Sequence, residues 1–155
     1  MAQAGDTETP RIETRAAGFL VYRQQSQDPE FLMMKASYEP FHWTPPKGHV
    51  DGTESALQTA LRETREEAGI SEGDLEIDRN FERRLHYVAR GKNKETVYFL
   101  ARVRNACKPV VLSDEHTEAR WLSAEAAAAI GGFEDMARVL MEADAHIRTS
   151  RATQA

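Results

Sequence analysis

The stretch Gly48-His49-Val50-Asp51-Gly52-Thr53-Glu54-Ser55-Ala56-Leu57-Gln58-Thr59-Ala60-Leu61-Arg62-Glu63-Thr64-Arg65-Glu66-Glu67-Ala68-Gly69-Ile70 decides the fold. Leu57, Ala60, Leu61, Thr64 and Ala68 recur at helical spacing, which predicts an amphipathic helix over 53–68, and Gly69 supplies its stop. Glu63, Glu66 and Glu67 stand at i, i+3 and i+4, so they crowd one face beside that stripe. Like charges so placed cost about 0.2–0.5 kcal/mol per pair. Taken alone, the residues leave two readings open. One is a solvated helix face whose repulsion Arg62 and Arg65 relieve. The other is a site for a hard, oxygen-seeking divalent cation such as Mg²⁺, which retains several waters and bridges to phosphates.

Outward from the helix, residues 16–22 and 31–34 are apolar and β-prone, which predicts two strands joined by a turn at 24–29. Pro40, Pro45 and Pro46, with Gly48 and Gly52, predict an irregular loop over 36–52 around Trp43, because proline cannot feed a sheet ladder or a helix interior. Downstream, 81–90 and 95–103 read as a hairpin turning at Gly91-Lys92-Asn93-Lys94, followed by short strands at 110–112 and 118–122. Residues 124–130 and 134–145 read as helices separated by Gly131-Gly132. Residues 1–14 read as a disordered leader and 148–155 as a flexible tail, leaving one domain over 15–147. Strands, helix, strands, helices is the order of an α/β fold with a mixed β-sheet between helices.

Composition narrows the function classes. A chain of 155 residues with 41% hydrophobic and 29% charged residues suits one globular domain, since a domain of about 150 residues buries roughly 68–70% of its unfolded surface. A single cysteine, Cys107, excludes an intramolecular disulfide framework and any multi-thiolate zinc site, and points to a reducing, cytoplasmic compartment. Cys107 itself reads as a buried or partly buried small apolar side chain. The net charge of −5 provides no global basic footprint, so extended nucleic-acid binding is not expected and any polyanion must be attracted locally. No apolar run approaches the ~20 residues of a membrane span.

The wider pattern resolves the carboxylate cluster. Gly48, Glu54, Arg62, Glu63, Glu66, Glu67, Gly69 and Ile70 match the Nudix box at every fixed spacing, with Thr64 at a position usually apolar. The chain therefore resembles Nudix hydrolases, which implies an α/β/α sandwich and Mg²⁺- or Mn²⁺-dependent cleavage of a nucleoside diphosphate linked to another group. Outside the box, His42-Trp43-Thr44-Pro45-Pro46-Lys47-Gly48-His49-Val50 resembles the corresponding segment of animal-type asymmetrical diadenosine tetraphosphate hydrolases. Further matches are Tyr87-Val88-Ala89-Arg90, Lys92 to Tyr98, Leu112-Ser113 with Glu115-His116, Arg120-Trp121-Leu122, and Phe133 with Met136. The alternative within the family is a pyrophosphohydrolase of RNA 5′ ends, nucleoside triphosphates or diphosphoinositol phosphates; plant and bacterial relatives, and the RNA-end pyrophosphohydrolases near them, typically carry Pro-Gln-Gly-Gly where this chain has Pro-Lys-Gly-His.

The resemblance implies roles residue by residue. Glu63 is a base or metal ligand, Glu66 and Glu67 hold metal, Arg62 braces them, and Gly48 lends a carbonyl to the metal. Glu115 is an extra carboxylate brought from a late loop. Lys47, with His42 and Tyr38, contacts phosphate, and Lys94, Lys92 and Tyr98 meet the polyphosphate from the hairpin. Tyr87 and Phe133 sandwich an adenine, since stacking on aromatic faces is worth ~1–3 kcal/mol per base. Without the family, Tyr87 reads as a half-buried sheet residue, Phe133 as a core anchor, and Lys92 and Lys94 as solvated turn charges. The expected partner is a small dinucleoside polyphosphate, with no membrane involved.

Overall fold

The computed structural model describes residues 11–154. Seven strands form one mixed sheet: β1 Thr14–Arg23, β2 Glu30–Ala36, β3 Trp43–Thr44, β4 Lys47–His49, β5 Leu75–Ala89, β6 Lys92–Val103 and β7 His116–Leu122. Helix α1 spans Ala56–Ala68, α2 Ala124–Gly131 and α3 Glu134–Gln154. The strand order is β3-β2-β1-β6-β5, with β4 added to β1 and β7 to β2. The pairing of β1 with β6 is parallel, Gly18 lying opposite Tyr98, whereas β1–β2 and β5–β6 are antiparallel.

Alternation along the strands builds two cores. Phe19 and Val21 on β1 point to the layer containing α1, where Ala60, Ala68 and Ile70 are buried. Leu20 points the other way, with Leu100, toward Ala127, Val139, Leu140 and Ala143 of α2 and α3. The result is an α/β/α sandwich.

Local chemistry sets the ends of α1. The Ser55 hydroxyl accepts the Gln58 N–H while Gln58 reaches back to the Ser55 N–H, a capping box, and Gly69 at φ 70° donates its N–H to the Arg65 carbonyl. The helix therefore begins at Ala56 rather than Thr53, because residues 53–55 form the turn into the cap. Thr64 is fully buried on the α1 core face, and its hydroxyl has no hydrogen-bond partner.

Four sequence expectations change. The 36–52 segment contains two short strands, because its prolines fall between the ladders and Pro46 still has a carbonyl that accepts the Phe19 N–H at 3.2 Å. The hairpin turn is only Arg90-Gly91, both residues at positive φ, so Lys92 and Lys94 stand on β6; β5 also starts earlier, with a bulge between Asp78 and Glu82. Residues 110–112 form no strand; the Val111 N–H instead caps the end of α1 at the Ala68 carbonyl, 2.9 Å away. Cys107 is exposed.

Both ends of the expected 15–147 domain move outward. Thr14 is already in β1, and the Glu13 N–H donates to the Asn93 carbonyl at 2.9 Å; residues 1–10 of the expected leader lie outside the described residues. The expected tail is helical through Gln154, because Arg148 bonds Asp144 and Asp28, each at 2.8 Å, and Arg151 donates to the Gln27 carbonyl. These long-range bonds fasten the last turns of α3 to the β1–β2 turn.

Candidate active site

Pairing of β4 with β1, Gly48 opposite Ala17, lays the backbone of β4 across α1. A Cβ at Gly48 would collide with the Glu63 carboxylate, so the close approach requires glycine there. Arg62 stands at the junction. Its Nε and Nη2 donate to the two oxygens of Glu54 at 2.7 and 2.9 Å, Nη1 reaches Glu63 at 3.0 Å and Glu66 at 3.2 Å, and Nη2 also donates to the His49 carbonyl at 3.0 Å. One guanidinium thus ties the helix to β4 and to the loop carrying Glu54. Its hydrogen bonds, with help from the Asp51 N–H and the Thr59 hydroxyl, hold the Glu54 carboxyl down to about 2.

The three box glutamates are not equivalent. Glu66 is half exposed, with 50% of its side chain open to water, against 12% for Glu63. Glu67 is only 5% exposed, and its Oε1 accepts the Lys47 N–H at 3.1 Å. Burial pushes the Glu67 carboxyl up to about 8, the Lys47 amide opposes this, and the charges of Glu63 and Glu115 add to the rise. Burial also raises Glu63, partly offset by Arg62 and reinforced by Glu66 and Glu115. Glu115 reaches this cluster from the loop before β7, which is fastened where the Ser37 N–H donates to the Glu115 carbonyl at 2.8 Å.

Among the described residues, no three His, Cys, Asp or Glu side chains are already gathered at a spacing that holds an ion. Glu63 and Glu66 bond Arg62 instead. The chemistry of the cluster nonetheless fits a hard divalent cation: its donors are carboxylate oxygens, they are partly desolvated, and one arginine does not neutralise four of them.

Beside the carboxylates opens a cleft of about 1110 Å³. All eight residues expected to bind substrate line it: Tyr38, His42, Lys47, Tyr87, Lys92, Lys94, Tyr98 and Phe133. Phe133 in the α2–α3 turn is exposed and is not the core anchor that a bare sequence suggests, whereas Tyr87 is the partly exposed sheet residue expected on β5, with its ring also bordering the cleft. Lys94 Nζ lies 5.8 Å from the centre of the Tyr87 ring, and the Tyr87 hydroxyl bonds Thr96 at 3.1 Å. His42 meets Phe133 edge-on, with ring centres 5.1 Å apart. Tyr98 is buried behind this wall, and burial raises its hydroxyl pKa.

His49 also lines the cleft and was not singled out by the sequence. Partial burial lowers its pKa, and the charges of Lys94 and then Lys47 lower it further. Alternation from Lys47 would have pointed to it, had β4 been recognised as a strand.

Comparison with known proteins accords with this geometry. Bis(5′-nucleosyl)-tetraphosphatase [asymmetrical] of Sus scrofa is 46% identical over 134 residues, 83% of this chain and 91% of the relative. The protein of the same name in Caenorhabditis elegans is 42% identical over 133 residues, 86% of this chain and 96% of the relative. The crystal structure of a C. elegans Ap4A hydrolase binary complex superposes with a TM-score of 0.85 at 41% identity, covering 88% of this chain and 98% of that one. Dihydroneopterin triphosphate pyrophosphohydrolase of E. coli, at 21% identity and a TM-score of 0.71, shares the fold. The NUDIX domain model matches residues 13–143, which include the box, the carboxylate cluster and the walls of the cleft, and the chain belongs to the NUDIX family.

Proposed function

We propose that the chain hydrolyses diadenosine tetraphosphate to ATP and AMP, by attack of water at the phosphorus distal to a clamped adenosine. The observation that carries this reading is one juxtaposition: a cleft walled by exposed Tyr87 and Phe133 and lined by Lys47, Lys92 and Lys94 opens beside the desolvated carboxylates of α1. The names of the relatives agree with it.

Gly48, Glu63, Glu66, Glu67 and Glu115 would hold Mg²⁺, with Mn²⁺ a substitute. Such an ion neutralises non-bridging oxygens of a polyphosphate and lowers the pKa of water. Tyr87 and Phe133 hold the adenine that remains with ATP. Lys47 and Lys94, assisted by Lys92, balance the phosphate charge that an acidic protein otherwise repels, and His42 and Tyr38 join the phosphate contact. Buried Tyr98 backs the wall. Glu63 accepts the proton of the attacking water. Arg62 positions Glu63 and Glu66 through the bonds it makes to both. The new P–O bond forms at the phosphorus that carries the second adenosine, and the bridge to the third phosphate breaks. ATP departs from one side and AMP keeps the oxygen of water.

Among the described residues no helix is long and apolar enough to cross a membrane, and one exposed thiol suits the reducing cytoplasm, where we place the enzyme. Chromatography of the products from diadenosine tetraphosphate, with Mg²⁺ and with EDTA, tests the assignment. ATP and AMP in equal amounts, with none in EDTA, is the expected result. Two molecules of ADP, or turnover confined to capped RNA, nucleoside triphosphates or diphosphoinositol phosphates, overturns it.

A further inference from the structure

The end of β6 that carries Lys92 and Lys94 is where the sheet runs short of strands. On one side β5 turns into β6 through Arg90-Gly91, with Ala89 opposite Lys92; on the other, β1 begins only at Thr14, opposite Lys94. Beyond Thr14 the tip is a two-stranded ribbon, an arrangement that is marginally stable at best in water without further support. Alternation turns Lys92, Lys94, Thr96 and Tyr98 to the cleft, which all four line, and leaves Asn93 between the two lysines on the other face. A lysine delivers a point charge on a flexible four-carbon stem, so where its ammonium points depends on how firmly its backbone is held.

That backbone is held by the residue that precedes β1. The Asn93 N–H donates to Glu13 Oε1 at 3.0 Å, and the Glu13 N–H donates to the Asn93 carbonyl at 2.9 Å, so both backbone polar groups of Asn93 end on one residue. The main chain of Glu13 adds one bond to the β1–β6 ladder. Its carboxylate supplies the acceptor that a further residue of β1 would otherwise provide, and a hydrogen bond to an ionised acceptor is stronger than a neutral one. Thr14 lines the cleft whereas Glu13 does not, so this carboxylate serves the strand and not the substrate.

We propose that Glu13 is a positioning residue for the polyphosphate contact: by holding both backbone groups of Asn93 it fixes the tip of β6, so that Lys92 and Lys94, on either side of Asn93, present their ammonium groups to the cleft. The proposal rests on the dinucleotide reading above and adds to it a residue outside the cleft. Where the tip is not fixed beforehand, the cost of ordering it falls on substrate binding, so the effect belongs in KM and not in kcat.

The test follows hydrogen exchange of the Asn93 amide by NMR in the free protein, and kcat and KM for diadenosine tetraphosphate with Mg²⁺, in the wild type, Glu13→Ala and Glu13→Gln. Glu13→Ala should speed Asn93 exchange at least about fivefold and raise KM about 3- to 10-fold, the scale of one net hydrogen bond, with kcat within about twofold of wild type. Glu13→Gln keeps an acceptor oxygen and deletes the charge, and should return both readings to within about twofold of wild type. With Lys92 and Lys94 both replaced by alanine, Glu13→Ala should no longer change KM, whereas with Lys47→Ala its full effect should persist, because only the first pair of changes acts through shared groups. An unchanged KM in Glu13→Ala, a Glu13→Gln variant no better than Glu13→Ala, a KM that falls in both variants, or an effect that survives without the two lysines overturns the proposal. Failure of the wild type to cleave diadenosine tetraphosphate would instead sink the dinucleotide reading, and Asn93 exchange, which needs no substrate, then decides the brace by itself.

Discussion

Replacing Glu67 by glutamine should stabilise the metal-free protein at alkaline pH while abolishing most of its response to Mg²⁺. The carboxylate is 5% exposed, and burial pushes its pKa from 4.5 up to about 8. Between those values the folded chain keeps a proton that the unfolded chain has released. Stability from this group is therefore fully present below pH 4.5, declines as pH rises, and is gone above about 8. The interval from 4.5 to about 8 corresponds to ~5 kcal/mol at ~1.4 kcal/mol per tenfold. Water entering from the open cleft screens part of this, leaving an expected ~2 kcal/mol. The glutamine side chain keeps the volume and an oxygen to accept the Lys47 N–H, so the charge alone is deleted. At ~2–4 °C per kcal/mol, the variant should melt ~4–8 °C above wild type at about pH 8.5 in EDTA and match it at about pH 4.5. Adding Mg²⁺ should raise the wild-type Tm and close that gap, because an ion bound only by the folded state stabilises it. A wild-type Tm in EDTA that does not fall across this pH interval, or a variant no more stable than wild type at its alkaline end, would refute the assignment of a strained, desolvated charge at position 67.

Glu63→Gln and Glu67→Gln should each lower kcat by at least about 10²-fold at saturating Mg²⁺ with the circular dichroism spectrum unchanged, and near-normal turnover would exclude these residues from the chemistry. Lys47→Ala and Lys94→Ala should reduce kcat/KM by about 10- to 100-fold, the scale of lost charge-assisted hydrogen bonds, while Lys108→Ala, whose ammonium faces Asp74 at 3.4 Å, leaves it within about twofold. In oxygen-18 water the label should appear in AMP and not in ATP; Tyr87→Ala and Phe133→Ala should raise KM and spread label and products over other cleavage positions, whereas Glu63→Gln slows cleavage without moving it. Thr64→Val, which removes a fully buried hydroxyl without a partner, should raise Tm by ~2–4 °C, and a lower Tm would mean that the hydroxyl is satisfied in solution.

Features of α1 were legible in the sequence because they depend on near neighbours. The spacing of Leu57, Ala60, Leu61, Thr64 and Ala68, the stop at Gly69, and the crowding of Glu63, Glu66 and Glu67 on one face all follow from about 3.6 residues per turn. The spacing of the box around them was likewise sufficient to indicate the family. What tertiary structure decided was how far each charge leaves water. Three glutamates that read alike become one half exposed, one largely buried and one 5% exposed, because β4 lies across the helix and Glu115 arrives from a distant loop. The β4 strand itself was hidden: three residues carry no periodicity, and the flanking prolines signal a loop unless β1 is known to run alongside. The last turns of α3 were hidden for the same reason, since Arg148 and Arg151 look like solvated charges until Asp28 and the Gln27 carbonyl are placed within reach. Local periodicity is written in adjacent residues, whereas desolvation and pairing arise only when segments far apart in the chain come into contact.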